Sequence, residues 1–181
     1  MAELAIISEA WSWLVSKALL AAQPGKESQW VFVTRRGFEM ANDERGLPRL
    51  RAEERIDVAL HPRLATRIPR QFILGEYELA AFAAMKEVEV AVREAIGAHD
   101  SSIGVALMKQ AFGEKGRLRN AERDSGEQDA MMALYWGAIG VFKNPSSHRP
   151  VEFNDPTLAS EVVLLADLLL RLLEETGAAD D

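Results

Sequence analysis

The chain has 181 residues, 48% of them hydrophobic and 27% charged, the composition of one substantial folded domain with a small appendage rather than of a disordered segment. Its formal net charge of −7 opposes nonspecific binding to long nucleic acid. The absence of cysteine excludes disulfides and thiolate zinc sites, and with the lack of a signal-peptide pattern over Met1 to Glu9 it points to the cytoplasm. Charge is unevenly spread: residues 35–70 carry nine Arg against six Asp/Glu, and residues 71–181 carry ten Lys/Arg against nineteen Asp/Glu. A local basic surface and an ordinary solvated linker both fit that distribution.

In chain order, residues 8–22 read as a helix with Ser8 as N-cap, broken by Gln23, Pro24, Gly25 and Lys26. Trp30 to Thr34 is β-branched and aromatic and reads as a strand, followed by a short helix from Arg35 to about Asn42. Trp11, Trp13 and Trp30 are the expected small core of this part. Residues 43–50, with Gly46 and Pro48, read as a linker and set a domain boundary at 50/51. The helix, the aromatic strand and Thr34-Arg35-Arg36-Gly37 resemble the last helix and wing of a winged-helix domain. A whole winged helix needs further helices upstream, so DNA binding does not follow from this resemblance alone.

From residue 51 the pattern is helical. His61-Pro62 opens a helix to about Leu74 that Pro69 should kink or divide. Residues 76–96 form a strong amphipathic helix ending at Gly97, with Ala81, Met85, Val88, Val92 and Ile96 as its apolar stripe. Residues 103–112 give a shorter helix, residues 115–126 a polar loop, and residues 128–143 a long helix stopped by Asn144-Pro145. The last helix runs from about Pro156 to Glu175 with a narrow polar stripe of Asp167, Arg171 and Glu174, so it should bury two faces, one in its own bundle and one in a dimer. Its apolar run is too short and too charged to span a bilayer. The expected fold is mainly α: an antiparallel helical bundle over 51–176, a small N-terminal α/β appendage with its linker over 1–50, and a disordered tail over 177–181.

Chemistry concentrates in Phe142 to Arg149, where Lys143, Asn144, Ser146, Ser147, His148 and Arg149 follow the end of an apolar helix. Asn-Pro is an ordinary helix stop, serines cap turns, and basic groups complement a helix C-terminus. The same residues can also do work. His148 has the ordinary imidazole range for proton transfer near neutrality, Lys143 and Arg149 can hold phosphate, and Asn144 can orient either group. Together they suit attack of an RNA 2′-hydroxyl on its neighbouring phosphate, a reaction that needs a base or acid and a cation but no metal. Both readings stay open on the residues alone.

A bundle with a basic residue, an Asn, and a His after four to six intervening residues resembles the HEPN superfamily. Gly137 to Arg149, Leu60-His61-Pro62, Phe72 to Tyr77 and Glu87 to Arg93 are similar to its Ymh-type, abortive-infection-related branch, over about residues 58–174. The resemblance implies a metal-independent endoribonuclease without cofactor, a homodimer through the bundle whose motifs share a cleft, and a place in antiphage defence or a toxin–antitoxin system with an antitoxin or sensor partner. It implies His148, Lys143 and Asn144 as catalytic residues, with Arg149, Ser147 and Glu89 binding or orienting RNA. Lys143 departs from the family's usual arginine, keeping the charge but losing the bidentate fork. Glu89, at the edge of the apolar stripe, either orients Lys143 or His148 or forms an i,i+4 pair with Arg93.

The remaining candidates read as structural. His61 is a helix-start residue near the bundle end, His99 a turn residue, and three dispersed histidines give no metal site. The loop Lys115, Arg117, Arg119 and Arg123 either guides RNA or is solvated, and Trp136 belongs to the bundle or a dimer seam. Beside the nuclease stand two alternatives: a noncatalytic HEPN module binding RNA, nucleotide or a partner protein, and a DNA-associated regulator, which the missing upstream helices disfavour.

Overall fold

The computed structural model describes residues 2–27, 30–119, 124–143 and 154–177. Among the described residues the protein is mainly helical with one two-stranded antiparallel sheet, and the chain divides into two compact units, 1–50 and 51–181.

The first unit holds α1 (Ala2–Ser16), β1 (Leu20–Ala22), β2 (Val31–Val33) and α2 (Arg35–Asn42). The strands pair Leu20 with Val33, Ala21 with Phe32 and Ala22 with Val31. Thr34 ties the hairpin to α2: its Oγ1 accepts the Gly37 N–H at 3.0 Å and donates to the Ala18 carbonyl at 2.7 Å. A Cβ on Gly37 would sit 2.3 Å from the Leu19 carbonyl oxygen, so only glycine allows this approach. Two expectations fail here. Ser8 lies inside α1, where its carbonyl accepts the Ser12 hydroxyl, and residues 20–22 are strand because β2 offers them a ladder. The three tryptophans are exposed, and the small core is Leu19, Met40 and Leu50 with Leu14 against it.

Helix α3 (Gly46–Ile56) replaces the expected linker. Pro48 sits in its first turn, where the missing N–H costs nothing, so Gly46 and Pro48 mark a helix start. Residues 46–50 belong to the first unit, and Ala52 and Ile56 enter the core of the second.

The second unit continues with α4 (Pro62–Ala65), α5 (Ile68–Ile73), α6 (Tyr77–Ile96), α7 (Gly104–Phe112), α8 (Ser125–Ala138) running into a π-turn at Ile139–Lys143, and α9 (Pro156–Gly177). Pro69 divides the 62–74 stretch as expected, standing in the first turn of α5. Gly97 closes α6 in the left-handed region (φ 63°), donating its N–H toward Glu94 O, while the Ala98 N–H reaches Arg93 O.

The centre of this unit is α6 against α9. Met85, Val88 and Val92 of α6 and Val163, Ala166, Leu169 and Leu170 of α9 are at most 1% exposed. Burying each larger aliphatic contributes roughly 1.5–3 kcal/mol before chain entropy. The stripe therefore fixes which way α6 faces and hence where Glu89 points. Tyr135 of α8 stacks on Phe112 of α7 at 4.4 Å and donates its hydroxyl to the Leu169 carbonyl, and burial pushes its phenol pKa well above the ordinary range. Among the described residues no helix is long and apolar enough to cross a membrane. The expected tail lies, from residue 178, outside the described residues.

Candidate functional site

Lys143 is the last residue of the π-turn that ends α8, and it is only 9% exposed. A π-turn widens the helix, a distortion frequent at functional positions. Gly137 lies before this turn and Gly140 within it; a Cβ on Gly140 would come within 3.4 Å of Val105 of α7. The Lys143 ammonium lies 3.1 Å from Glu89 Oε2 on α6, and the Glu89 side chain is 5% exposed. The apolar stripe of α6 draws that face inward and Glu89 is carried with it, so a carboxylate sits where only paired charge is tolerated.

Three groups converge on Glu89, two within hydrogen-bond distance and one more distant cation. Besides Lys143, the Gly104 N–H donates to Oε2 at 2.6 Å, and Arg93 Nη1 lies 3.8 Å from Oε1. Gly104 has φ +64°, the left-handed conformation that glycine adopts freely, and this turns its N–H toward Glu89. Arg93 also approaches Asp100 at 3.7 Å and donates to the Ser102 carbonyl at 3.3 Å. The two readings of Glu89 thus coexist, since it faces both Arg93 and Lys143. Asp100, the other carboxylate near Arg93, is 98% exposed, so Glu89 is the buried anion of this group.

Of the six candidate site residues, the structure brings Lys143 and Glu89 together. Asn144, Ser147, His148 and Arg149 lie outside the described residues. The Gly104 N–H and the link from Arg93 to residues 100–102 escaped sequence reasoning. The one available signal was a glycine opening an apolar run after the Asp100-Ser101-Ser102 turn.

The other expected candidates take structural places. His61 is the N-cap of α4, its Nδ1 accepting the Arg63 N–H at 3.3 Å. Its Nε2 therefore carries the proton toward Glu174 Oε1 at 2.9 Å, and its own backbone N–H donates to Asp167. Arg171 clasps Asp167 at 2.8 Å and the Ala59 carbonyl at 2.6 Å. The polar stripe of α9 is thereby a fastening for residues 59–63. His99 is a turn residue bonded to Ser101. In the basic loop Arg117 donates to the Ile96 carbonyl and Arg119 pairs with Asp129 at 2.8 Å, while Arg123 lies outside the described residues. Trp136 is 45% exposed beneath Lys109. No group of three His, Cys, Asp or Glu suited to a metal occurs among the described residues.

An open hollow of about 420 Å³ is lined by residues that include Glu76, Glu78, Tyr77, Phe82 and Asn154. Phe82 precedes Glu89 by two helical turns, about 10 Å along α6. Its two carboxylates make the hollow a poor seat for phosphate.

The family described as "Protein of unknown function (Hypoth_ymh)" matches the chain over residues 58–173. No curated protein and no solved structure matches it.

Proposed function

This chain belongs to the Hypoth_ymh family, and from that premise we propose that it is a metal-independent endoribonuclease of HEPN type, acting in antiphage defence or a toxin–antitoxin system. The observation that supports this most is the seating of Lys143. The residue directly before Asn144-Pro-Ser-Ser-His148 is buried and held by Glu89, itself fixed by a backbone N–H and by Arg93. A helix stop by itself asks for no such anchorage.

In the proposed reaction the RNA 2′-hydroxyl loses its proton and attacks the adjacent phosphorus. The bond to the 5′ oxygen breaks, and that oxygen takes up a proton. His148 serves the proton transfers, Lys143 stabilises charge on the phosphate, and Asn144, Ser147 and Arg149 orient the strand. The products are a 2′,3′-cyclic phosphate and a 5′-hydroxyl. Glu89 acts on Lys143 rather than on RNA. A homodimer through the helical bundle would place two such segments at one cleft, and an antitoxin or sensor partner would restrain them.

One observation favours a second reading, a noncatalytic HEPN module that binds RNA, nucleotide or a partner protein. The Lys143 side chain is 11% exposed and already faces a carboxylate, and lysine lacks the fork with which arginine grips phosphate. A DNA contact through α1 is disfavoured, since residues 2–16 carry Glu3 and Glu9 and no Lys or Arg.

Incubation of the protein with total RNA and tRNA in EDTA, beside a His148→Ala variant, separates these readings. Chelator-resistant cleavage leaving cyclic phosphate ends, abolished in the variant, is the expected result. RNA binding without cleavage would move the noncatalytic reading ahead. Cleavage undiminished in the folded variant would remove His148 from the reaction.

A further inference from the structure

Trp136 stands outside the core at 45% exposure, and the Lys109 ammonium lies over its ring, 5.8 Å from the centroid. The backbone beneath the ring is fixed. Tyr135, the residue before it, is fully buried, stacks on Phe112 of α7 at 4.4 Å and donates to the Leu169 carbonyl. Two pairs then give the register of α7 on α8. Lys109 meets Trp136, and Val105 lies beside Gly140, where an added Cβ would sit 3.4 Å from the valine side chain. Four residues back along α7 correspond to four residues forward along α8, so the two run antiparallel. One residue further back, Gly104 donates to the Glu89 carboxylate that holds Lys143. The seam between α7 and α8 therefore leads from the Trp136 ring to the Lys143 end of α8, and Gly140 puts no side chain between them.

Trp136 and Lys143 are seven residues apart, about 10 Å along the helix. That is the length of roughly three stacked nucleotides at about 3.4 Å each. Charge along the seam decides what it suits. Residues 104–112 and 130–143 carry Lys109 and Lys143 and no Asp or Glu, in a chain of net charge −7. An apolar partner covering the ring would bury the Lys109 ammonium, and neither stretch offers it a carboxylate. A single-stranded nucleic acid suits both groups, since a base stacks on an aromatic ring and a phosphate accepts from an ammonium. We infer that Trp136 and Lys109 form a subsite for single-stranded RNA, with a base against the exposed part of the indole and a neighbouring phosphate at Lys109. Its place as a flank of the scissile phosphate rests on the nuclease reading, whereas the binding itself does not. Stacking of this kind accepts any base, so the subsite holds the strand without choosing a sequence.

The probe is a short 2′-O-methyl oligoadenylate, whose blocked 2′-hydroxyls prevent cleavage, added to the full chain. Trp136→Ala, melting like the parent, is expected to bind it roughly tenfold more weakly, the loss of one stacked base, and Trp136→Phe to recover part of that loss. The quench of tryptophan fluorescence on binding should shrink in Trp136→Phe, although Trp11, Trp13 and Trp30 remain. Lys109→Gln should flatten the plot of log Kd against log salt by about 0.7, one phosphate contact fewer. With cleavable RNA in EDTA, Trp136→Ala should raise KM and leave kcat within about twofold of the parent. A parent that binds no oligoadenylate overturns the inference, as does equal binding by Trp136→Ala. So does self-association lost in Trp136→Ala while RNA binding is kept, which would make the ring a contact between copies. Cleavage that Trp136→Ala leaves unchanged in both KM and kcat removes the subsite and spares the nuclease reading. Binding that depends on Trp136, without any cleavage of unmodified RNA, does the reverse.

Discussion

Two charged clusters of the helical unit, one around Glu89 and one around His61, differ in how far each is withdrawn from water. Around Glu89, both members of the central pair are buried: the glutamate side chain is 5% exposed and Lys143 11%. Around His61, the imidazole is buried, but its partner Glu174 is 68% exposed and Arg171, clasping Asp167, is 49% exposed. The second cluster does a recognisable structural task, fastening residues 59–63 to α9 through a helix cap and two backbone groups. The first takes on a larger desolvation cost to hold the residue at which α8 ends. Cost without an evident architectural need is what distinguishes a candidate site from a clasp.

Removing one charge from each cluster should expose this difference most strongly. Glu89→Ala leaves Lys143 without its carboxylate and the Gly104 N–H without an acceptor, so denaturant unfolding should show a loss of about 3–5 kcal/mol. Asp167→Ala takes an acceptor from the His61 N–H but leaves Arg171 able to turn to water, and a smaller loss of about 1–3 kcal/mol is expected in the same measurement. If the two losses are equal, the contrast in burial does not govern these clusters.

A backbone change should sharpen the contrast with less effect on stability. Gly104→Ala places a side chain in the left-handed region (φ +64°), a strain of about 1–2 kcal/mol, and shifts the N–H that Glu89 accepts. A melt lowered by that amount together with reduced RNA cleavage is the expected pair of results. Unchanged cleavage would mean that Glu89 needs no backbone support.

Much of the helical unit was legible in the sequence because its signals are local. Gly97 at a left-handed C-cap, Pro69 in a first turn, and the stripe Ala81, Met85, Val88, Val92 and Ile96 each depend on a few neighbouring residues. Errors fell where a distant partner decides. Residues 20–22 look helical until β2 pairs with them, and Gly46 with Pro48 reads as a linker although proline is tolerated in a first turn. Trp11, Trp13 and Trp30 were placed in a core by their size, yet the first unit closes around Leu19, Met40 and Leu50 without them. At the site, helical spacing brought Glu89 to the edge of the buried stripe, and the concentration of polar and basic groups over Phe142 to Arg149 pointed to Lys143. The meeting of the two depends on the π-turn and on how α6, α7 and α8 pack, which no spacing encodes.

The central claim is that the buried pair serves the segment after it, and that the clasp at His61 does not. It is tested most directly by comparing RNA cleavage in EDTA for Glu89→Gln and Asp167→Asn, each assayed where thermal melts show it fully folded. Cleavage reduced at least tenfold in Glu89→Gln and within about twofold of the parent in Asp167→Asn is the expected result, a difference of at least about 1 kcal/mol in barrier. Equal losses in the two variants, or full activity in Glu89→Gln, would contradict it.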